Sequence, residues 1–190
     1  MFLFNIKNLL SHPNNLTLYR IAAIPGIVVL LFFPNRFCTF IAAILFSAAA
    51  ITDYLDGFYA RKRGLVSNLG KIMDPLADKL LVSSTFIMLS SLGWIPAWMV
   101  CIIIGRELAV TGLRNIIVEK KEDVSASSLG KYKIGFQIAA IIPLLLHYSY
   151  FGINFHAIGM VFLWPALVLT VWSGVDYFIR FRKGERQFPE

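Results

Sequence analysis

The chain has 190 residues, of which 57% are hydrophobic and only 15% are charged, and its mean hydropathy is +0.68. An ordinary soluble domain has about 25% charged residues, so this composition excludes one and is typical of a membrane protein. The formal net charge of +7 predicts a basic surface facing anionic headgroups, and its spread along the ends of apolar runs argues against nucleic-acid binding.

The first twelve residues, MFLFNIKNLLSH, place apolar and polar side chains on different faces of a helix. This pattern predicts a short amphipathic segment, residues 1–12, in the membrane interface. Six apolar runs follow, and each approaches the roughly 20 residues that a helix needs to cross a bilayer. Continuous runs of this length favour helices over barrel strands. We therefore predict an all-α membrane protein with six transmembrane helices, at Leu16–Phe33, Phe37–Ala60, Pro75–Leu92, Ile95–Val118, Ile134–Phe151 and Ala157–Phe181.

Lysine and arginine concentrate at the end of the chain and in the second and fourth connections, whereas the other connections contribute only Arg36. Basic loops stay in the cytoplasm. The distribution therefore predicts a multi-pass protein of the cytoplasmic (inner) membrane. Both termini, the aspartate-rich segment 53–78 and a charged tail at residues 184–190 would face the cytoplasm.

Four aspartates occupy the ends of two neighbouring apolar runs. Asp53 and Asp56 are three residues apart, and Asp74 and Asp78 are four apart, so each pair shares a helix face. The short connection predicts that the two helices are antiparallel partners, which brings the pairs together. Four carboxylates at membrane depth suit two Mg²⁺ or Mn²⁺ ions, which would cancel their charge and clamp a phosphoryl group. The alternative is a set of interfacial salt bridges with Arg61, Arg63, Lys71 and Lys79.

Small residues accompany the first pair of aspartates. Gly57 lies one turn from Asp53, and Ala60 lies one turn from Asp56, so a ligand could approach the backbone on this face. Arg61 adds a fork of hydrogen-bond donors that suits a phosphate. The sequence therefore predicts a phosphate-containing ligand beside the carboxylates.

The complete spacing, Asp53-x2-Asp56-Gly57-x2-Ala60-Arg61-x8-Gly70-x3-Asp74-x3-Asp78, resembles the signature of the CDP-alcohol phosphatidyltransferase family. Further stretches resemble its phosphatidylglycerophosphate synthase branch: PNNLTLYR at 13–20, DPLADK at 74–79, GREL at 105–108 with LR at 113–114, and GKYK at 130–133. The resemblance covers residues 13–183, which we expect to form one domain.

This resemblance implies a six-helix, dimeric membrane enzyme that transfers a phosphatidyl group from CDP-diacylglycerol to an alcohol and releases CMP. In this branch the alcohol is sn-glycerol 3-phosphate. By motif position, Asp53, Asp56 and Asp74 would bind the metal ions, while Asp78 would contact a metal and accept the proton of the acceptor hydroxyl. The residues expected to contact CDP-diacylglycerol are Asn14, Thr17, Gly57, Ala60, Arg61, Ser67 and Gly70.

The phosphate of the acceptor requires cations. Arg106 lies well inside an apolar run, and such an arginine is a functional hypothesis by default. Arg114 lies within about a quarter turn of Arg106 on the same helix. Lys131 and Lys133 precede the fifth predicted span. Two alternatives stay open: Glu107 neutralises Arg106 without a role for substrate, and the two lysines only set topology.

Other functions are compatible with parts of the pattern. Within the same family, the acceptor could be inositol phosphate, serine or phosphatidylglycerol. Membrane prenyltransferases also use aspartate-rich metal motifs but are larger, and the Gly57, Ala60 and Arg61 pattern is not theirs. A cation transporter would be expected to place its carboxylates nearer the bilayer midplane on broken helices.

Overall fold

The computed structural model describes the backbone of residues 13–63, 68–119, 128–150 and 152–187. It describes the side chains of residues 19–52, 73, 75–114, 132–150, 152–179 and 181–182. The amphipathic segment predicted at residues 1–12 lies outside these ranges. Within them, the chain forms six helices and one small hairpin: α1 Pro13–Phe32, α2 Arg36–Arg63, α3 Asn68–Ser91, α4 Ala97–Glu119, α5 Ser128–Leu146, β1 Ser149–Tyr150, β2 Ile153–Asn154 and α6 Phe155–Gln187.

The fold is mostly helical, as predicted. In the described part of the chain, one segment, Phe155–Ile179 of α6, is long and apolar enough by itself to cross a membrane. Shorter apolar segments are Tyr19–Phe32, Arg36–Thr52 and Tyr132–Leu146. The apolar sequences of α3 and α4 are interrupted by charged residues, among them Asp78, Arg106 and Glu107. The number of transmembrane helices therefore stays a prediction.

Helices α3 and α6 extend beyond the spans predicted from the sequence, and a glycine motif follows the end of α3. Helix α3 begins at Asn68 and contains Pro75, seven residues before the predicted start, and α6 continues to Gln187, into the predicted tail. Gly93, with φ 71°, follows α3, and the amides of Gly93 and Trp94 bond the carbonyls of Ser90 and Leu89 at 2.9 and 3.0 Å. This is a Schellman motif, in which glycine adopts the left-handed conformation without a steric penalty.

The connection between α5 and α6 contains a hairpin that the sequence did not suggest. Ser149 pairs with Asn154 and Tyr150 with Ile153, and Gly152, with φ 78°, allows the tight turn. The predicted fifth span therefore ends five residues early, at Leu146. Asn154 then caps α6, since its side-chain oxygen accepts a bond of 3.1 Å from the amide of Ala157.

Helix packing assigns the first helix a central position. Within the described residues, α1 packs extensively against both α2 and α3, whereas α2 and α3 contact each other little. The described parts of α2 and α3 do contact each other, and the predicted convergence of their aspartate-bearing ends stays a prediction. Helices α5 and α6 form the largest contact, and α5 also packs on α2. The shared core consists of large apolar side chains, among them Ile27, Leu31, Phe46, Phe86, Leu89, Met99, Ile103, Leu144 and Leu163.

Candidate active site

The two aspartate pairs lie on helical backbone. Asp53 and Asp56 belong to α2, and Asp74 and Asp78 belong to α3, so the predicted spacing does put each pair on one helical turn. The side chains of the first three lie outside the described ranges. Among the described residues, no group of three or more His, Cys, Asp or Glu side chains could hold a metal ion. The metal site therefore stays a prediction, and its carboxylate oxygens are the ligands that suit Mg²⁺ or Mn²⁺.

Most of the residues predicted to bind CDP-diacylglycerol also have a described backbone but no described side chain. Helix α1 contains Asn14 and Thr17, α2 contains Gly57, Ala60 and Arg61, and α3 contains Gly70. Their side chains lie outside the described ranges, as does the whole of Ser67. The structure therefore assigns them to three helices that meet through α1, and their proposed contacts remain predictions.

Asp78 borders a cavity between α2, α3, α4 and α5. The cavity has a volume of about 270 Å³. Apolar side chains such as Phe46, Val82 and Ile103 form much of its wall. Its polar wall is formed by Ser83, Asp78, Lys79, Glu107, Arg114 and Gln137. A small site of this kind, mainly apolar with a few convergent charges, is typical of a pocket for a small ligand.

Arg20 fixes the carboxylate of Asp78. Its guanidinium donates to Oδ1 of Asp78 across the contact between α1 and α3. Arg20 is 2% exposed, while the side chain of Asp78 is 39% exposed, so the arginine is buried behind a carboxylate that remains accessible. The sequence analysis named Arg20 only as part of the stretch 13–20 and assigned it no role in the site. The available signal was a charged residue inside an apolar run, which is expensive in a membrane and marks a functional site.

Glu107 joins two of the predicted acceptor-binding residues. Its Oε1 accepts from the ammonium of Lys133 and, at 3.3 Å, from Nη1 of Arg106. Lys133 is only 3% exposed. Arg106 also donates from Nη2 to the hydroxyl of Ser173 at 2.9 Å. This Glu107 cluster, defined as Arg106, Glu107, Lys133 and Ser173, therefore ties α4 to α5 and α6.

Helix α6 makes room for the Arg106 side chain. A Cβ atom at Gly174 would lie 2.9 Å from Cγ of Arg106, closer than real Cβ contacts allow, so Gly174 suits this crossing. The predicted neutralisation of Arg106 by Glu107 agrees with this geometry.

Two further cations border the cavity without a carboxylate partner among the described residues. The ammonium of Lys79 donates to the hydroxyl of Thr111, and Arg114 is exposed on the cavity wall. The side chain of Lys131 is outside the described ranges. The sequence analysis named Lys79 only as a possible salt-bridge partner. It also missed Gln137, which is 3% exposed and lines the cavity, although a glutamine inside an apolar run was a usable signal.

A helical fold with a charged cavity beside Asp78 is compatible with a transferase that acts on a phosphate-containing substrate, and comparison with known proteins identifies the class. The family model of CDP-alcohol phosphatidyltransferases matches residues 10–172. The chain belongs to this family of membrane-associated, generally metal-dependent enzymes.

Three similar proteins share one name, which is more specific than the family description. A Bacillus subtilis protein named CDP-diacylglycerol--glycerol-3-phosphate 3-phosphatidyltransferase is 44% identical over 178 residues, covering 87% of this chain and 92% of its own. A protein of the same name from Rickettsia typhi is 40% identical over 174 residues, covering 91% and 96%. A third, from Blochmanniella floridana, is 32% identical over 180 residues, covering 92% and 93%.

Proposed function

We propose that the protein transfers the phosphatidyl group of CDP-diacylglycerol to sn-glycerol 3-phosphate, giving phosphatidylglycerophosphate and CMP for phospholipid biosynthesis. The single observation that carries the proposal is the cavity, because it combines a carboxylate that can accept a proton with cations that can hold a phosphate. The names of the similar proteins from Bacillus subtilis and Rickettsia typhi support the choice of acceptor.

The predicted residues take distinct roles in this reaction. Asp53, Asp56, Asp74 and Asp78 would hold two Mg²⁺ or Mn²⁺ ions, and bound ions would neutralise phosphoryl oxygens and stabilise the departing CMP. Arg61 and Ser67 would hold the nucleotide, with Gly57, Ala60 and Gly70 leaving space for it and Asn14 and Thr17 closing the pocket from α1. All of these residues except Ser67, which lies outside the described ranges, belong to α1, α2 or α3.

Asp78 is the proposed base. Its carboxylate would accept the proton of the acceptor hydroxyl as that oxygen bonds to the phosphatidyl phosphorus and the bond from phosphorus to CMP breaks. Arg20 holds this carboxylate in place from α1. Among the described residues we find no Ser-His or Cys-His pair that would serve as a covalent nucleophile. We therefore infer direct displacement, without a phosphatidyl-enzyme.

The acceptor would bind on the basic side of the cavity. Arg114 lies on its wall, and Arg106 and Lys133 lie behind Glu107. Together with Lys131, these are the residues we propose to recognise glycerol phosphate. In the cell, we propose a homodimer in the inner membrane with this site and both termini at the cytoplasmic face.

A CMP-release assay tests the function. Purified protein with Mg²⁺ or Mn²⁺ is given CDP-diacylglycerol and, separately, glycerol 3-phosphate, inositol phosphate, serine or phosphatidylglycerol. We expect release of CMP with glycerol 3-phosphate alone, and none after chelation of the metal. Release with a different alcohol would refute the acceptor, and no release with any of them would refute the transferase function. An acceptor-free reaction is the control, and exchange of labelled CMP into CDP-diacylglycerol in that control would contradict direct displacement.

A further inference from the structure

The basic residues around the cavity fall into two groups. Arg20 is paired with Asp78, and Arg106 and Lys133 are both paired with Glu107. Lys79 and Arg114 have no carboxylate within salt-bridge distance among the described residues, and both line the cavity. Of the described cations, the two that line the cavity are therefore the two without a salt bridge to a described carboxylate.

An uncompensated cation in these surroundings favours an anionic ligand. Leu81, Val82, Ile103 and Ile138 are among the apolar residues of the cavity wall, and removing an ammonium from water without a partner is costly. A phosphate dianion carries the charge that two such cations would neutralise. The two described carboxylates on the wall, Asp78 and Glu107, each form their salt bridges with other cations.

Thr111 holds Lys79 toward α4. Its hydroxyl accepts from the ammonium of Lys79 and donates to the backbone oxygen of Glu107 at 2.6 Å. The ammonium has three donor protons, so its bond to Thr111 leaves two for a ligand. Arg114 lies three residues beyond Thr111 on α4, hence on the same side of this helix. Lys79 and Arg114 are thus brought to one region of the cavity from two different helices.

We propose that Lys79 and Arg114 bind the phosphate of the acceptor directly, whereas Arg106 and Lys133 are positioning residues that act through Glu107. The proposal deepens the proposed function, on which it rests, by dividing the predicted acceptor-binding residues into two kinds and adding Lys79. It assigns the acceptor to the class of small phosphate monoesters. Serine and phosphatidylglycerol, the panel members that are not phosphate monoesters, would offer these two cations no phosphate dianion.

Binding of glycerol 3-phosphate to the detergent-solubilised protein with Mg²⁺, measured by calorimetry, tests the division without requiring turnover. A hydrogen bond to a charged group contributes enough that we expect Lys79→Met and Arg114→Met each to weaken binding about 10- to 100-fold. Both variants should keep the wild-type unfolding midpoint and the wild-type KM for CDP-diacylglycerol. Arg182→Met, at an exposed arginine of α6 away from the cavity, is the matched control and should bind as the wild type does.

Lys133→Met should lower the unfolding midpoint, since Glu107 loses a buried partner, and should weaken binding of glycerol 3-phosphate less than Lys79→Met or Arg114→Met does. Wild-type affinity in Lys79→Met and Arg114→Met would refute the proposal. So would a loss of affinity in Lys133→Met as large as theirs.

The same measurement separates this proposal from the proposed function. If the wild type binds glycerol 3-phosphate through Lys79 and Arg114 but releases no CMP, the transferase function fails and the phosphate site stands. If it releases CMP while both variants bind normally, the function stands and the phosphate site fails. If the wild type does not bind glycerol 3-phosphate, the phosphate site is refuted, and CMP release decides the transferase function separately.

Discussion

At the scale of single residues, the site depends on which charges are compensated. Asp78 is held by a buried arginine but is itself accessible, an arrangement that fixes the carboxylate without covering it. Glu107 compensates two cations at once. Removing either carboxylate would therefore leave buried positive charge behind, a larger penalty than the loss of one contact.

Asp78→Asn separates the chemical role of this residue from its structural role. The amide oxygen of asparagine can still accept a bond from Arg20, but an amide cannot take the proton of the acceptor hydroxyl. We expect CMP release to fall by about 10²- to 10⁴-fold, the usual contribution of a general base, with binding of CDP-diacylglycerol largely retained. The measurement is kcat together with lipid binding.

Asp53→Asn is the comparison on the other helix, and it should chiefly weaken metal binding. Asp176→Asn, on α6 and outside the cavity wall, controls for the loss of an aspartate and should keep its activity. Equal loss of metal affinity in Asp78→Asn and Asp53→Asn would contradict the separate role of Asp78.

At the scale of helices, close packing decides which elements hold the site. Helix α1 joins α2 to α3 and supplies Arg20, while α5 and α6 pack closely and carry two members of the Glu107 cluster. Gly159 of α6 lies against Leu144 of α5, since a Cβ added there would be 2.5 Å from Cγ and 2.9 Å from the backbone nitrogen of Leu144. Small residues permit such close approach of helices in membranes.

Gly159→Ala should therefore destabilise the protein. The new methyl group must displace backbone as well as side chain, and overpacking of this kind costs about 1–3 kcal/mol. The measurement is the midpoint of thermal unfolding in detergent. Gly135→Ala, on α5, is the matched control, because a Cβ there meets nothing within 4 Å. Equal midpoints for the two variants would show that the contact between α5 and α6 tolerates the extra volume.

At the scale of the whole molecule, we expect the distribution of charge to set the orientation in the membrane. The site and the basic residues of the second and fourth connections lie toward one end of the helices in the sequence pattern, and the hairpin of β1 and β2 belongs to an opposite connection. Basic connections are retained in the cytoplasm. The site would then receive soluble glycerol phosphate from the cytoplasm and its lipid substrate from the bilayer.

Labelling of single cysteines in intact cells tests this orientation. In a background with Cys38→Ala and Cys101→Ala, which removes both native cysteines, a cysteine is introduced as Ser149→Cys or as Glu190→Cys. Ser149 is exposed in β1. We expect a membrane-impermeant maleimide to label the first variant from outside and the second only after permeabilisation. The reverse result would invert the proposed topology.

The sequence by itself determined the chemical class of the protein. The helical content, the two aspartate pairs on helical turns and the family could be predicted because they depend on composition and on spacings of a few residues, which the regular geometry of a helix converts directly into shared faces. The hairpin after α5 could not, since two strands of two residues each leave almost no periodic pattern.

Only the tertiary structure decided which charges are paired. Arg20 and Asp78 are 58 residues apart, Lys133 and Glu107 are 26 apart, and Arg106 and Ser173 are 67 apart. Each pair joins different helices, so no local pattern selects one partner over the other cations of similar character. The sequence therefore established that carboxylates and cations meet at this site. The packing of the helices determined which cations are compensated and which, at Lys79 and Arg114, face the cavity, because compensation depends on distances that exist only after the helices come together.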